Sequence, residues 1–160
     1  MVAVFAWGWS QIRRGLTVAR PVLNAGAQTV GTELLAIRTA LDAGGPVSGY
    51  AALMGEHKID GLGQAFGTKL LHFLSSDTDR ALIADSITAK AFARADLPRM
   101  PSAQCTPLRY RRYIEHMRGW AAELSEDPRD GGGPIGADDL EMVLFGFNAP
   151  PGSAWALDDP

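Results

Sequence analysis

The segment Ile59-Asp60-Gly61-Leu62-Gly63-Gln64-Ala65 constrains this chain more than any other. An apolar residue, a polar one, glycine, an apolar residue and glycine are followed at once by helix-forming residues. Two glycines so close let the backbone turn sharply and approach another surface, so the segment is expected to join two helices as a hairpin. Leu62, between the glycines, would be the apolar peg that holds the helices together. The amides of Gly63 and Gln64 would then open the second helix as unsatisfied donors at its positive dipole end, which suits a phosphate. Plain helix-to-helix turns use the same pattern, and that reading stands beside the phosphate one.

The periodicity around the hairpin is helical. Ala27 to Ala43 carries Val30, Leu34, Leu35, Ile37 and Leu41 at helical spacing, and Gly44-Gly45-Pro46 stops it. Val47 to Met54 forms a short helix and Gln64 to Leu74 the next, which places a helix-hairpin-helix at about 47–74, with Phe66, Leu70 and Phe73 facing the core. After the polar loop Ser75-Ser76-Asp77-Thr78-Asp79, the apolar run Ala81-Leu82-Ile83-Ala84 leads into Asp85 and helix formers from Ser86 to Ala95. Asp85 therefore sits at a helix start, where an aspartate ordinarily serves as N-cap. Pro98, Pro101 and Pro107 mark a connector, and Thr106-Pro107 opens a helix reaching Leu124, with Ile114, Trp120 and Leu124 in the core. A glycine loop over 127–136 precedes a last helix, Asp138 to Phe147, apolar through Leu140, Val143, Leu144 and Phe147. No strand-type alternation and no repeat occurs, so the expected fold is all-α: a compact helical domain over 1–148 with a flexible tail at 149–160.

With 46% apolar residues, 160 residues suffice for one core or for two small lobes sharing a cleft. The only cysteine, Cys105, excludes an internal disulfide and a cysteine-built metal site, and points to a reducing, cytoplasmic setting. His57, His72 and His116 lack ligand spacing, so neither a metal nor any other cofactor is expected. The apolar opening Met1 to Trp9 precedes its cations Arg13 and Arg14, the wrong order for a secretory signal. No stretch reaches the roughly 18 to 20 apolar residues of a membrane span, and no membrane partner is expected. Fifteen lysines and arginines against 18 acids leave a net charge of −3, which supplies no global attraction for nucleic acid. Only charge within a Debye length of about 8 Å matters at a contact, however, so backbone amides and a few local cations suffice.

The hairpin resembles the helix-hairpin-helix of the DNA glycosylase superfamily. Ile83-Ala84-Asp85-Ser86-Ile87-Thr88-Ala89-Lys90 resembles that superfamily's second signature, an apolar pair and an aspartate before a helix. The run Gly61 to Phe73, with Ala81 to Phe92 behind it, is similar to short bacterial proteins with an 8-oxoguanine DNA glycosylase (OGG-like) fold. Phe5-Ala6-Trp7-Gly8 and Asp138 to Phe145 are also similar to that group, though less distinctively. The resemblance implies excision of a damaged or modified base from double-stranded DNA by a monomer that needs no small-molecule cofactor.

In such chemistry positive charge develops on the sugar, and a fixed carboxylate beside the anomeric carbon stabilises it; the resemblance gives Asp85 that role. Enzymes that also cleave the strand attack the sugar with a lysine amine and form a Schiff base, and Lys69 is the candidate nucleophile. The backbone of Gly61, Leu62, Gly63, Gln64 and Ala65 would hold DNA phosphate. An ungapped match of the hairpin glycines, however, puts the usual lysine position at Ala65, one helical turn before Lys69. Residues four apart share a helix face, so Lys69 either reaches the same cleft as nucleophile or contacts phosphate. Trp7, Trp9, Tyr50, Tyr110, Tyr113 and Trp120 are available to stack a flipped base. Arg109, Arg111, Arg112 and Arg118, with Tyr110 and Tyr113 among them, make the one basic, aromatic stretch. Two alternatives stay open: a non-catalytic helix-hairpin-helix module that binds DNA, and a helical protein-interaction domain whose hairpin is a plain turn.

Overall fold

The structure, a computed structural model, describes residues 19–76, 78–94, 104–126 and 134–148. The opening run 1–9, the connector prolines Pro98 and Pro101, the glycines at 131–133 and the tail 149–160 lie outside the described residues. A short helical stretch at 19–24 is followed by α1 (Ala27–Met54), α2 (Gln64–Leu74), α3 (Ser86–Arg94), α4 (Pro107–Ser125) and α5 (Ala137–Asn148). The fold is all-α, with no strand among the described residues. None of the described helices is long and apolar enough to cross a membrane. The chain divides into two units, Met1–Ala81 and Leu82–Pro160.

In the first unit, α1 breaks where Gly44-Gly45-Pro46 predicts a stop, with φ/ψ of −138/16° at Gly44 and 70/−169° at Gly45. Pro46 begins the renewed helix, where its missing N–H costs no hydrogen bond. Val30, Ile37 and Leu41 are buried before the break, and Tyr50 and Leu53 after it. Leu35, adjacent to that stripe, is exposed.

Helix α2 packs on α1, and its Phe66, Leu70 and Leu71 are buried. The approach depends on Gly67: a Cβ there would lie 2.5 Å from Leu53 Cδ2 and 3.1 Å from Met54 Cε. Phe73, expected in the core, is 54% exposed. Continuous burial along α2 ends at Leu71, so helical periodicity overstates how far the core follows the last turn.

In the second unit, α5 packs against both α3 and α4. The Thr106 hydroxyl accepts from the Arg109 amide at 3.3 Å and Pro107 occupies the first turn, as the sequence predicts for α4. Its buried stripe is Tyr110, Tyr113, Ile114, Met117 and Ala121. Leu124 falls outside that stripe and is exposed, and Trp120 is half-buried, so of the three expected core residues only Ile114 belongs there. Phe92 of α3 meets Tyr113 edge-on, with ring centroids 5.2 Å apart. Two residues of α5 depart from the expected pattern: Glu141 is buried and Val143 is exposed, while Leu140 and Leu144 are half-buried. The reason lies in the hydrogen bonding before Asp85.

Candidate functional site

The hairpin belongs to the first unit. Past the end of α1, the His57 amide donates to the Ala52 carbonyl at 2.9 Å, and the Leu62 amide closes a turn on the Ile59 carbonyl at 2.9 Å. Gly61 has φ 90°, a conformation that side chains resist, which explains a glycine there. Leu62 is fully buried and Ile59 nearly so, so the apolar peg is in place. Gly63 is the N-cap of α2 and has no side-chain cap; it is exposed, and a Cβ there would meet nothing within 4 Å. Gln64 is buried, and its Oε1 accepts from the Tyr50 hydroxyl at 3.0 Å, tying the start of α2 to α1. A ligand in front of this turn would therefore meet backbone, with Leu62 and Gln64 turned inward and Ala65 half-buried.

Lys69 lies one turn past Ala65 and is only 7% exposed. Its Nζ is 5.8 Å from the centroid of the Phe66 ring, within cation–π range. Thr68 beside it is fully buried and donates to the Gln64 carbonyl at 2.8 Å. His72 Nδ1 lies 2.9 Å from the Ala81 carbonyl oxygen, which ties the end of α2 to the chain leaving it.

Asp85 belongs to the second unit and is buried at the start of α3. Its Oδ1 accepts from the amides of Ile87 at 2.8 Å and Thr88 at 3.1 Å. The Thr88 hydroxyl in turn accepts from the Asp85 amide at 3.0 Å. The pair forms a reciprocal cap that fixes the carboxylate's orientation at the positive end of the helix dipole. The ordinary role of an aspartate before a helix is thus present in full, and a cap leaves room for chemistry at the same carboxylate.

Sequence reasoning missed the support of this aspartate. Leu82, Ile83 and Ala84 are buried and lie in neither helix nor strand, so their polar groups need partners from outside the segment. The Tyr110 hydroxyl donates to the Leu82 carbonyl at 2.7 Å. The Ile83 amide donates to Glu141 Oε1 at 2.5 Å, and the Tyr113 hydroxyl lies 2.6 Å from that same oxygen and 3.1 Å from the Ile83 carbonyl. Burial, offset in part by these hydrogen bonds and aided by the charges of Asp85 and Asp138, raises the Glu141 carboxyl to about 8. Burial and the Glu141 charge hold the Tyr113 hydroxyl well above its usual range. No sequence signal marked Glu141, which lies beside the apolar stripe of Leu140, Val143, Leu144 and Phe147 and reads as an ordinary solvated acid.

The aromatic side chains divide sharply. Tyr50, Tyr110 and Tyr113 are buried with their hydroxyls engaged in core hydrogen bonds. The arginines among the tyrosines, Arg109, Arg111, Arg112 and Arg118, are exposed, so the mixed basic and aromatic stretch separates into an outer and an inner face of α4. Trp120 lines an apolar cavity of about 320 Å³ between α4 and α5, together with Leu124, Leu140, Val143, Leu144 and Glu123. Among the described residues no group of three or more histidine, cysteine or acidic side chains is placed to hold a metal ion.

These features define an all-α protein whose two helical units carry a glycine hairpin opening an uncapped helix and a buried aspartate capping another. The chain belongs to the family described as "Putative 8-oxoguanine DNA glycosylase OGG-like protein", which it matches over residues 1–145. That membership connects it with DNA glycosylase function and with DNA as its substrate polymer. No curated protein and no solved structure matches the chain.

Proposed function

We propose that this protein excises a damaged or modified base from double-stranded DNA by cleaving its N-glycosidic bond after the base is flipped, with residues 1–148 carrying the activity. Family membership over residues 1–145 is the observation that carries this reading. In it the amides at the uncapped start of α2 hold phosphate, through the backbone of Gly61, Leu62, Gly63, Gln64 and Ala65. The Asp85 carboxylate, oriented by Ile87 and Thr88, stabilises the positive charge that develops on the sugar. Lys69 is the amine: as nucleophile it forms a Schiff base and gives strand cleavage, and as cation it contacts phosphate.

The test is borohydride trapping on duplexes carrying a panel of modified bases, 8-oxoguanine first, read beside alkaline cleavage for the unaltered protein, Lys69→Ala and Asp85→Asn. Trapping that disappears in Lys69→Ala establishes the lyase reaction and its nucleophile. Alkali-labile sites without trapping mean that water attacks and Lys69 binds. If no abasic product forms on any duplex while salt-sensitive binding persists, the protein is a DNA-binding module without chemistry.

A further inference from the structure

A stretch of backbone buried without helix or sheet must be satisfied from outside itself, and Leu82 to Ala84 is such a stretch. The Ile83 peptide groups are held by two side chains from different helices, Glu141 on α5 and Tyr113 on α4, which also touch each other. We propose that Glu141 and Tyr113 form a proton-sensitive clamp on Ile83 and act as positioning residues for Asp85, two residues further on. This rests on the reading of Asp85 as the catalytic carboxylate.

The sensitivity follows from counting protons. The Tyr113 hydroxyl has one proton and two acceptors, Glu141 Oε1 at 2.6 Å and the Ile83 carbonyl at 3.1 Å. When Glu141 is neutral, its own proton bridges to the Tyr113 oxygen and the hydroxyl proton goes to the Ile83 carbonyl, so every group is served. When Glu141 ionises, the hydroxyl turns to the carboxylate and the Ile83 carbonyl loses its donor in a dry site. Among the described residues of this unit, the charged or titratable groups that face the pair are Asp85 ahead of α3, Tyr110 on α4 and Asp138 on α5. Asp85 and Asp138 oppose a further negative charge at Glu141, and burial opposes it more strongly, so the change of state falls near pH 8.

Glu141→Gln keeps an acceptor for the Ile83 amide and does not ionise, but its oxygen has no proton to give to Tyr113. Tyr113→Phe keeps the ring and removes the donor to the Ile83 carbonyl at every pH. Single-turnover excision would be followed from about pH 6 to 9 on a duplex with 8-oxoguanine opposite cytosine, with duplex affinity and the Ile83 and Asp85 amide resonances measured alongside. The unaltered protein should slow by roughly tenfold above about pH 8 without losing affinity, because a small misplacement of a catalytic group costs rate more than binding. Glu141→Gln should react at pH 7 as slowly as the unaltered protein does above pH 8 and show no further alkaline fall, a loss of pH dependence that a merely structural glutamate would not control. Tyr113→Phe should behave at pH 7 as the unaltered protein does above pH 8. The clamp is overturned if Glu141→Gln retains the same alkaline fall or if Tyr113→Phe reacts at the full rate. If no duplex is cleaved by any variant, the glycosylase reading fails, and the amides decide the clamp separately: Ile83 and Asp85 shifting together near pH 8 only when Glu141 is present supports it, and unmoved amides reject it.

Discussion

Replacing Gly63 by aspartate should stabilise the fold and weaken DNA binding at once. The residue is exposed, has φ −73° and ψ 179°, and leaves a new Cβ nothing to meet within 4 Å, so the backbone admits a side chain without strain. An aspartate there becomes the cap that α2 lacks. Over glycine the cap itself is worth a few tenths of a kcal/mol, and a carboxylate at the positive end of the dipole adds about 0.3–1 kcal/mol. A total near 1 kcal/mol raises the Tm by roughly 2–4 °C for a chain of this size. The same carboxylate would occupy the amides proposed to hold phosphate and repel it. Two like charges about 4 Å apart cost about 1 kcal/mol in water and about 4 kcal/mol at an effective dielectric of 20, so a loss of roughly 1–3 kcal/mol, or about 5- to 150-fold in Kd, is expected. Fluorescence anisotropy with a short labelled duplex, between about 50 and 200 mM salt, should also show the salt slope reduced by about one. A stabilised variant that binds duplex as tightly as the unaltered protein would refute the phosphate role of the hairpin.

Three further outcomes follow from the geometry. Asp85→Asn keeps a good capping side chain, so its stability should change by less than about 1 kcal/mol while excision slows by about 10²–10³-fold; an unchanged rate would leave Asp85 a cap alone. Gly67→Ala forces a methyl against Leu53 Cδ2 at 2.5 Å and should cost about 1–3 kcal/mol in urea unfolding; an unperturbed midpoint would mean that α1 and α2 do not pack as described. Stability should also fall as pH rises from about 4.5 to about 8, because over that window the unfolded chain gives up the Glu141 proton and the folded chain keeps it. The difference of 8 less 4.5, at 1.36 kcal/mol for each pH unit, sets a ceiling of roughly 5 kcal/mol on this effect. Glu141→Gln should flatten that slope, and an equal slope in both proteins would place the titrating group elsewhere.

The sequence by itself determined whatever depends on near neighbours. The break at Gly44-Gly45-Pro46, the turn at Gly61 with its Leu62 peg, the Thr106-Pro107 start of α4 and the cap at Asp85 are local steric and hydrogen-bonding consequences of a few adjacent residues. The tertiary structure decided which periodic residues find a partner. Phe73 keeps the period of Phe66 and Leu70 but lies past the buried part of α2, and Leu124 falls outside the stripe that α4 buries. The tyrosines beside the arginines of α4 turn inward because distant carbonyls, those of Leu82 and Ile83, need donors. Glu141 turns inward for the matching reason, that the Ile83 amide 58 residues earlier needs an acceptor. Periodicity reports which residues share a helix face; only the packed chain shows which buried backbone groups that face must satisfy.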